Sequence, residues 1–131
     1  MEQRMSLHNG TWGWIGVDLD GSLAYRDKAI PYDPLVIGHP LAPMVARIKY
    51  WISTGIEVRI FTARVSTDGS FSANHMRQKV IHRIQDWLEK ECGLPRLEVT
   101  NEKDYKCVQI WDDIAVGLIP NTGHPLCGGN L

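Results

Sequence analysis

Two aspartates one residue apart, Asp18 and Asp20, close a short apolar run and are followed at once by Gly21-Ser22. On an extended backbone, residues two apart point the same way, so both carboxylates face one spot. Like charges at close range resist ionisation unless a cation lies between them. The pair therefore predicts a divalent metal or a strongly perturbed acid. Gly21 suits a sharp exit from the strand, because it tolerates backbone angles that other residues avoid. The competing reading is a loop in which Asp18 or Asp20 caps a following helix. A second acid pair, Asp112-Asp113, follows the apolar run Val108-Gln109-Ile110-Trp111, and a hydroxyl, Thr62, follows Ile56–Phe61. Asp18, Asp20, Asp112 and Asp113 supply the hard oxygen ligands and negative charge that Mg²⁺ prefers. Thr62 and a nearby ammonium, Lys103 or Lys106, suit the oxygens of a phosphoryl group. A carboxylate can also attack phosphorus, and the resulting aspartyl-phosphate splits one hard displacement into two. A second carboxyl can protonate the leaving oxygen and later activate water.

These groups need elements to position them, and the pattern supplies alternating strands and helices. The first strand is expected at about Trp12 to Leu19, with a second from Ile56 to Phe61. Leu97–Thr100 and Val108–Trp111 are further strand candidates, and Ala115–Ile119 is expected as a last strand before the turn Pro120-Asn121-Thr122-Gly123. Between the first two strands, Leu41, Met44, Val45, Ile48, Trp51 and Ile52 recur at helical spacing. Pro43 fits the first turn of that helix and Gly55 its stop. A second helix is expected from about Asn74 to Lys90, with Met76, Val80, Ile84, Trp87 and Leu88 as its buried stripe. Residues 23–40, punctuated by Pro31, Pro34, Gly38 and Pro40, read as loop or hairpin. Strands separated by helices indicate an α/β fold with a mainly parallel sheet. Ligands bind outside the carboxyl ends of the strands in such sheets. Three strand-like runs end in reactive polar residues, and a parallel arrangement brings Asp18/Asp20, Thr62 and Asp112/Asp113 to one edge.

Composition narrows the class. The chain of 131 residues suits a single domain with a real core. Its formal charge of −1, without a Lys/Arg cluster, points to neither nucleic acid nor an anionic membrane. No apolar stretch approaches the length of a bilayer span. The polar first residues lack a signal-peptide core, and three scattered cysteines (Cys92, Cys107, Cys127) fit a reducing compartment, so a cytoplasmic protein is expected.

Val17-Asp18-Leu19-Asp20-Gly21-Ser22, then Phe61-Thr62-Ala63-Arg64, then Lys103, then Trp111-Asp112-Asp113 resemble the four ordered motifs of the haloacid dehalogenase-like hydrolase superfamily. The resemblance covers residue 12 to about residue 123. It implies a three-layer Rossmann-like domain and Mg²⁺-dependent phosphoryl transfer to or from a small phosphorylated substrate. It implies Asp18 as nucleophile and Asp20 as general acid/base, with Thr62, Ala63, Arg64 and Lys103 around the phosphoryl group. Asp112 and Asp113 would complete the metal site with Asp18 and the Asp20 carbonyl. Lys106 is the alternative to Lys103. An aspartate at the second position of the first motif favours phosphatases over dehalogenases. The chain has no room for a large cap domain, so residues 23–40 resemble the short flap of capless members, with Tyr25, Arg26, Lys28 and Tyr32 as candidate substrate contacts. Capless relatives accept larger substrates or close the site with a neighbouring subunit, which leaves a homo-oligomer open. Receiver-type signalling domains use similar groups, but their lysine comes last in the chain. A non-catalytic phosphate- or metal-binding module is the alternative.

Other groups carry less. The five histidines (His8, His39, His75, His82, His124) show no metal-ligand spacing, and the cysteines have no C-x-x-C. The tryptophans fall mostly on expected strands or helix stripes, where packing explains them.

Overall fold

The computed structural model describes residues 13–127. Trp12 and His8 lie outside them. Four parallel strands form one sheet in the order β3-β2-β1-β4: β1 Trp14–Val17, β2 Glu57–Phe61, β3 Val99–Thr100 and β4 Cys107–Trp111. Helix α1, Ala42–Ser53, joins β1 to β2, and helix α2, Phe71–Trp87, joins β2 to β3. The expected α/β class and the parallel sheet are both present. β1 lies at the centre, its Ile15 beside Val58 of β2 and Gln109 of β4. A bulge shifts the β1–β4 register between Trp14 and Ile15, where Cys107 and then Gln109 are the partners.

α1 has Pro in its first turn, and Ile48 and Trp51 are buried on its inner face. It stops where Gly55 takes φ 84°, a left-handed angle suited to glycine. α2 begins at Phe71, three residues before the expected Asn74, because the Ser70 side chain accepts from Ala73 N at 3.2 Å and caps it. Val80, Ile84, Trp87 and Leu88 are buried as the periodicity predicts, whereas Met76 is exposed. Past Trp87 the helix widens into a single π turn, Leu88–Cys92, and ends at Gly93 with φ 66°.

One core holds the molecule together. Ile15, Val17, Val58, Ile60 and Val99 of the sheet meet Ile48 and Trp51 of α1 and Val80, Ile84 and Trp87 of α2. Both helices therefore cover the same face. That corrects the expected three layers: the described residues form two. Right-handed crossovers running β1 to β2 to β3 in one direction put their helices on one side. The crossover that doubles back, β3 to β4, is residues 101–106 and contains no helix. Its Asp104 meets Trp14 and Arg59 on the opposite face, accepting from Trp14 Nε1 at 2.8 Å.

The expected last strand at Ala115–Ile119 is also corrected. It does not join the sheet; Leu126 N donates to Gly117 O and Ile119 N to His124 O, both at 2.8 Å. The segment pairs with its own tail through a single bridge, Leu118 with Pro125. The tight turn at Asn121 and Gly123, both at positive φ, brings that tail back alongside it. Val116, Leu118 and Ile119 stay exposed.

Candidate active site

The carboxyl ends of β2, β1 and β4, adjacent in the sheet, carry the reactive residues. Asp18 directly follows β1 and its N–H donates to Trp111 O at 2.9 Å, which carries the β1–β4 pairing one residue further. Beyond it the chain turns sharply around the Leu19 carbonyl, which accepts from Ser22, Leu23 and Ala24 N–H at 3.3, 3.0 and 2.8 Å. Leu19, Leu23 and Ala24 are fully buried and anchor this turn in the core. Gly21 sits at its tip with φ 85°, and a Cβ there would run into the Asp113 carboxylate. Only glycine satisfies both conditions.

Carboxylate oxygens of Asp18, Asp112 and Asp113 lie within 4.8 Å of one another. Burial, then the Asp112 charge, then Asp113 push the Asp18 carboxyl up to about 7. Ser22 Oγ lies 3.4 Å from Asp18 Oδ2, and Asp112 Oδ1 accepts from Ile114 N at 3.1 Å. Three clustered acids, one of them driven towards its neutral form, match what a hard divalent cation would relieve. The donor set is all oxygen, which fits Mg²⁺.

Thr62 follows β2, is buried, and accepts from Arg64 N through its Oγ1 at 3.2 Å. Its own N–H donates to Thr100 O at 2.9 Å, tying the β2 and β3 ends together. Asp18, Asp20, Thr62, Ala63 and Arg64 line one open cavity with Tyr32. The Asp20 carboxylate does not join the other acids. Arg64 holds it by two bonds of 2.7 Å, from Nε to Oδ2 and from Nη2 to Oδ1. Arg64 Nη1 also donates to the carbonyls of Asp33, Pro34 and Val36 at 3.3, 3.1 and 2.9 Å, so one guanidinium ties Asp20 to the flap.

The structure thus brings together Asp18, Asp20, Thr62, Ala63, Arg64, Asp112 and Asp113. Lys103 is exposed and does not line the cavity; its charge acts on the Cys107 thiol. The leading charges on Asp18 are Asp112 and Asp113. Lys106 belongs to the opposite edge, since its carbonyl accepts from Trp14 N at 2.9 Å. The pairing of Arg64 with Asp20 has no counterpart in the sequence motifs, which direct Arg64 to the substrate. The signal for it is an arginine three residues past a strand end, at an edge crowded with acids.

No family model matches the chain, and no curated protein matches it either.

Proposed function

We propose that the protein is a Mg²⁺-dependent phosphatase of the haloacid dehalogenase-like type, hydrolysing a small phosphate monoester through an aspartyl-phosphate on Asp18. One observation carries the reading: three adjacent parallel strand ends deliver Asp18, Thr62 and the Asp112/Asp113 pair to a single edge, with the three acids in mutual reach. The order of the four motifs supports it. The cation would be held by Asp18, Asp112 and Asp113 with the Asp20 carbonyl. When bound, it supplies charge neutralisation for the phosphoryl oxygens and for the crowded acids.

An Asp18 carboxylate oxygen attacks phosphorus and the bond from phosphorus to the alcohol oxygen breaks. Asp20, once released from Arg64, would serve as the acid for that leaving oxygen. It then takes a proton from the water that attacks the aspartyl-phosphate, which restores Asp18 and releases inorganic phosphate. The Thr62 hydroxyl would hold a phosphoryl oxygen, and the Lys103 ammonium would join it only by leaving its place near Cys107. Among the described residues no helix is long and apolar enough to cross a membrane; the cysteine pattern belongs with a cytoplasmic setting.

A second reading, a phosphate- or metal-binding module without turnover, is favoured by the Asp20 carboxylate being held at both oxygens by Arg64. Phosphate release from an aryl phosphate, with and without Mg²⁺, separates the two. Turnover that needs Mg²⁺ and is lost in Asp18→Asn supports the phosphatase. Activity retained by Asp18→Asn sinks the covalent route, and Mg²⁺ binding without any turnover selects the module.

A further inference from the structure

Residues 23–40 enclose a cavity of their own beside the acid cluster. Its volume is about 180 Å³, and an apolar cavity of roughly 150 Å³ accepts benzene. Tyr25, Ile30, Pro31, Tyr32 and Val36 form its apolar walls. Charged residues border it as well, and one polar atom of each of Arg26, Asp27 and Asp33 serves the loop's own backbone. Arg26 Nη1 donates to Ile30 O at 3.1 Å, and the Asp27 and Asp33 carboxylates accept from Ala29 N and Leu35 N at 2.9 Å. The space is left to aromatic and branched side chains.

Tyr32 and Arg64 line both this cavity and the one that holds Asp18, Asp20 and Thr62. Arg64 fixes how the two relate, because its guanidinium joins the Asp20 carboxylate to flap carbonyls on the cavity wall. Most of its N–H groups are thereby committed and few remain for a polar ligand. A phosphoryl group placed against Asp18 and Thr62 has this apolar space as its neighbour.

We propose that the flap cavity binds the alcohol part of the substrate and selects a flat, apolar or aromatic alcohol over a small aliphatic one. The inference rests on the phosphatase reading above. Burying an aromatic ring against these walls gains free energy that a two-carbon alcohol cannot.

Calorimetric binding to the full chain carrying Asp18→Asn, with Mg²⁺ present, tests the cavity without turnover. The probes are 2-naphthyl phosphate and ethyl phosphate. The naphthyl ester should bind about tenfold more tightly or better. Adding Ile30→Asn and Val36→Thr should bring the two affinities to within about threefold of each other. Both side chains are more than half exposed, at 55% and 59%, so the changes leave the core intact. Comparing two probes on one variant cancels any general loss of folded protein. Equal affinities before the two changes, a ratio unmoved by them, or no binding of either probe overturns the proposal. Should Asp18→Asn show the expected selectivity while the wild-type chain never releases phosphate from 2-naphthyl phosphate, the phosphatase reading fails and the cavity assignment stands.

Discussion

At the scale of single residues, Asp18 concentrates the electrostatic strain of the site. Its carboxyl is pushed from an ordinary 3.8 to about 7 by burial, then by Asp112 and Asp113. An acid with a raised folded pKa binds more protons folded than unfolded, so its contribution to stability is lost as pH rises between those values. Mg²⁺ meets an ionised Asp18 only above that window. It should therefore raise Tm more at about pH 8 than at about pH 5. Asp112→Asn removes the largest neighbouring charge and should flatten the metal-free pH dependence while shrinking the Mg²⁺ gain. Thermal melts at both pH values, with and without Mg²⁺, check this; an equal gain at both removes the cation from the account. The lysines divide by position. Lys103 lies three residues past Thr100, whose carbonyl is bound by Thr62 N–H, whereas Lys106 is pinned by its carbonyl to the far end of β1. The Lys103 charge acts on the Cys107 thiol at the start of β4, so Lys103 has to swing across from there to meet an incoming phosphate. Lys103→Ala should cost at least about tenfold more in Mg²⁺-dependent turnover than Lys106→Ala; the reverse order would show that the loop is misassigned. The acids and Thr62 were legible in the sequence because each ends an apolar run. The partner of Asp20 was not, because Arg64 lies 44 positions away and nothing local marks the pair.

At the scale of elements, helical periodicity located α1 and α2 because each has one face to bury, and Gly55 and Gly93 marked their ends. Periodicity said nothing of Ser70, whose capping bond adds a first turn with Phe71 almost wholly exposed. Nor could it tell a sheet strand from Ala115–Ile119, since apolar residues that fail to find a sheet look the same in sequence. The flap contains no helix or strand of its own, and part of its hold comes from outside. Arg64 takes three of its carbonyls, Arg83 Nε donates to Leu35 O at 3.0 Å, and Trp87 Nε1 donates to Gly38 O at 3.1 Å. Gly38 permits this close packing, because a Cβ there would collide with the Tyr25 carbonyl. Trp87→Phe keeps an aromatic ring in the core but removes the donor to Gly38. The expected cost is about 1–3 kcal/mol, combining a lost bond with a small cavity. A urea titration measures it, and trypsin should cut faster after Lys28 in the exposed flap. Unchanged stability and unchanged cleavage would mean that the indole bond does not hold the flap.

At the scale of the whole molecule, the two layers that the described residues form leave one sheet face without a helix among those residues, and a small cluster lies on it. Trp14 is buried at 1% exposure although it stands outside the main core. Its ring lies against Gly16, where a Cβ would approach the indole to 3.0 Å. The Arg59 guanidinium sits 4.5 Å from the ring centroid. The same guanidinium meets Glu57 and Glu98 at 2.7 Å and Asp104 at 3.4 Å, so it binds β2 to the end of the β3 approach and to the crossing loop. The Trp14 indole N–H, helped by Arg59, holds the Asp104 carboxyl below its usual range. A depressed acid contributes stability above its unfolded pKa and loses it as pH falls. Arg59→Met keeps an apolar stem over Trp14 but removes the cation that Glu57, Glu98 and Asp104 share. It should destabilise the protein by about 1 kcal/mol at neutral pH through the lost cation–π contact alone, with repulsion among the acids added. The gap from wild type should narrow as pH falls through the carboxylate range and as salt screens the acids. Urea midpoints at neutral and acidic pH, each at low and high salt, test the arrangement. A gap that is constant across all four conditions would show that Arg59 acts by packing alone and that the acids around it contribute nothing to this face.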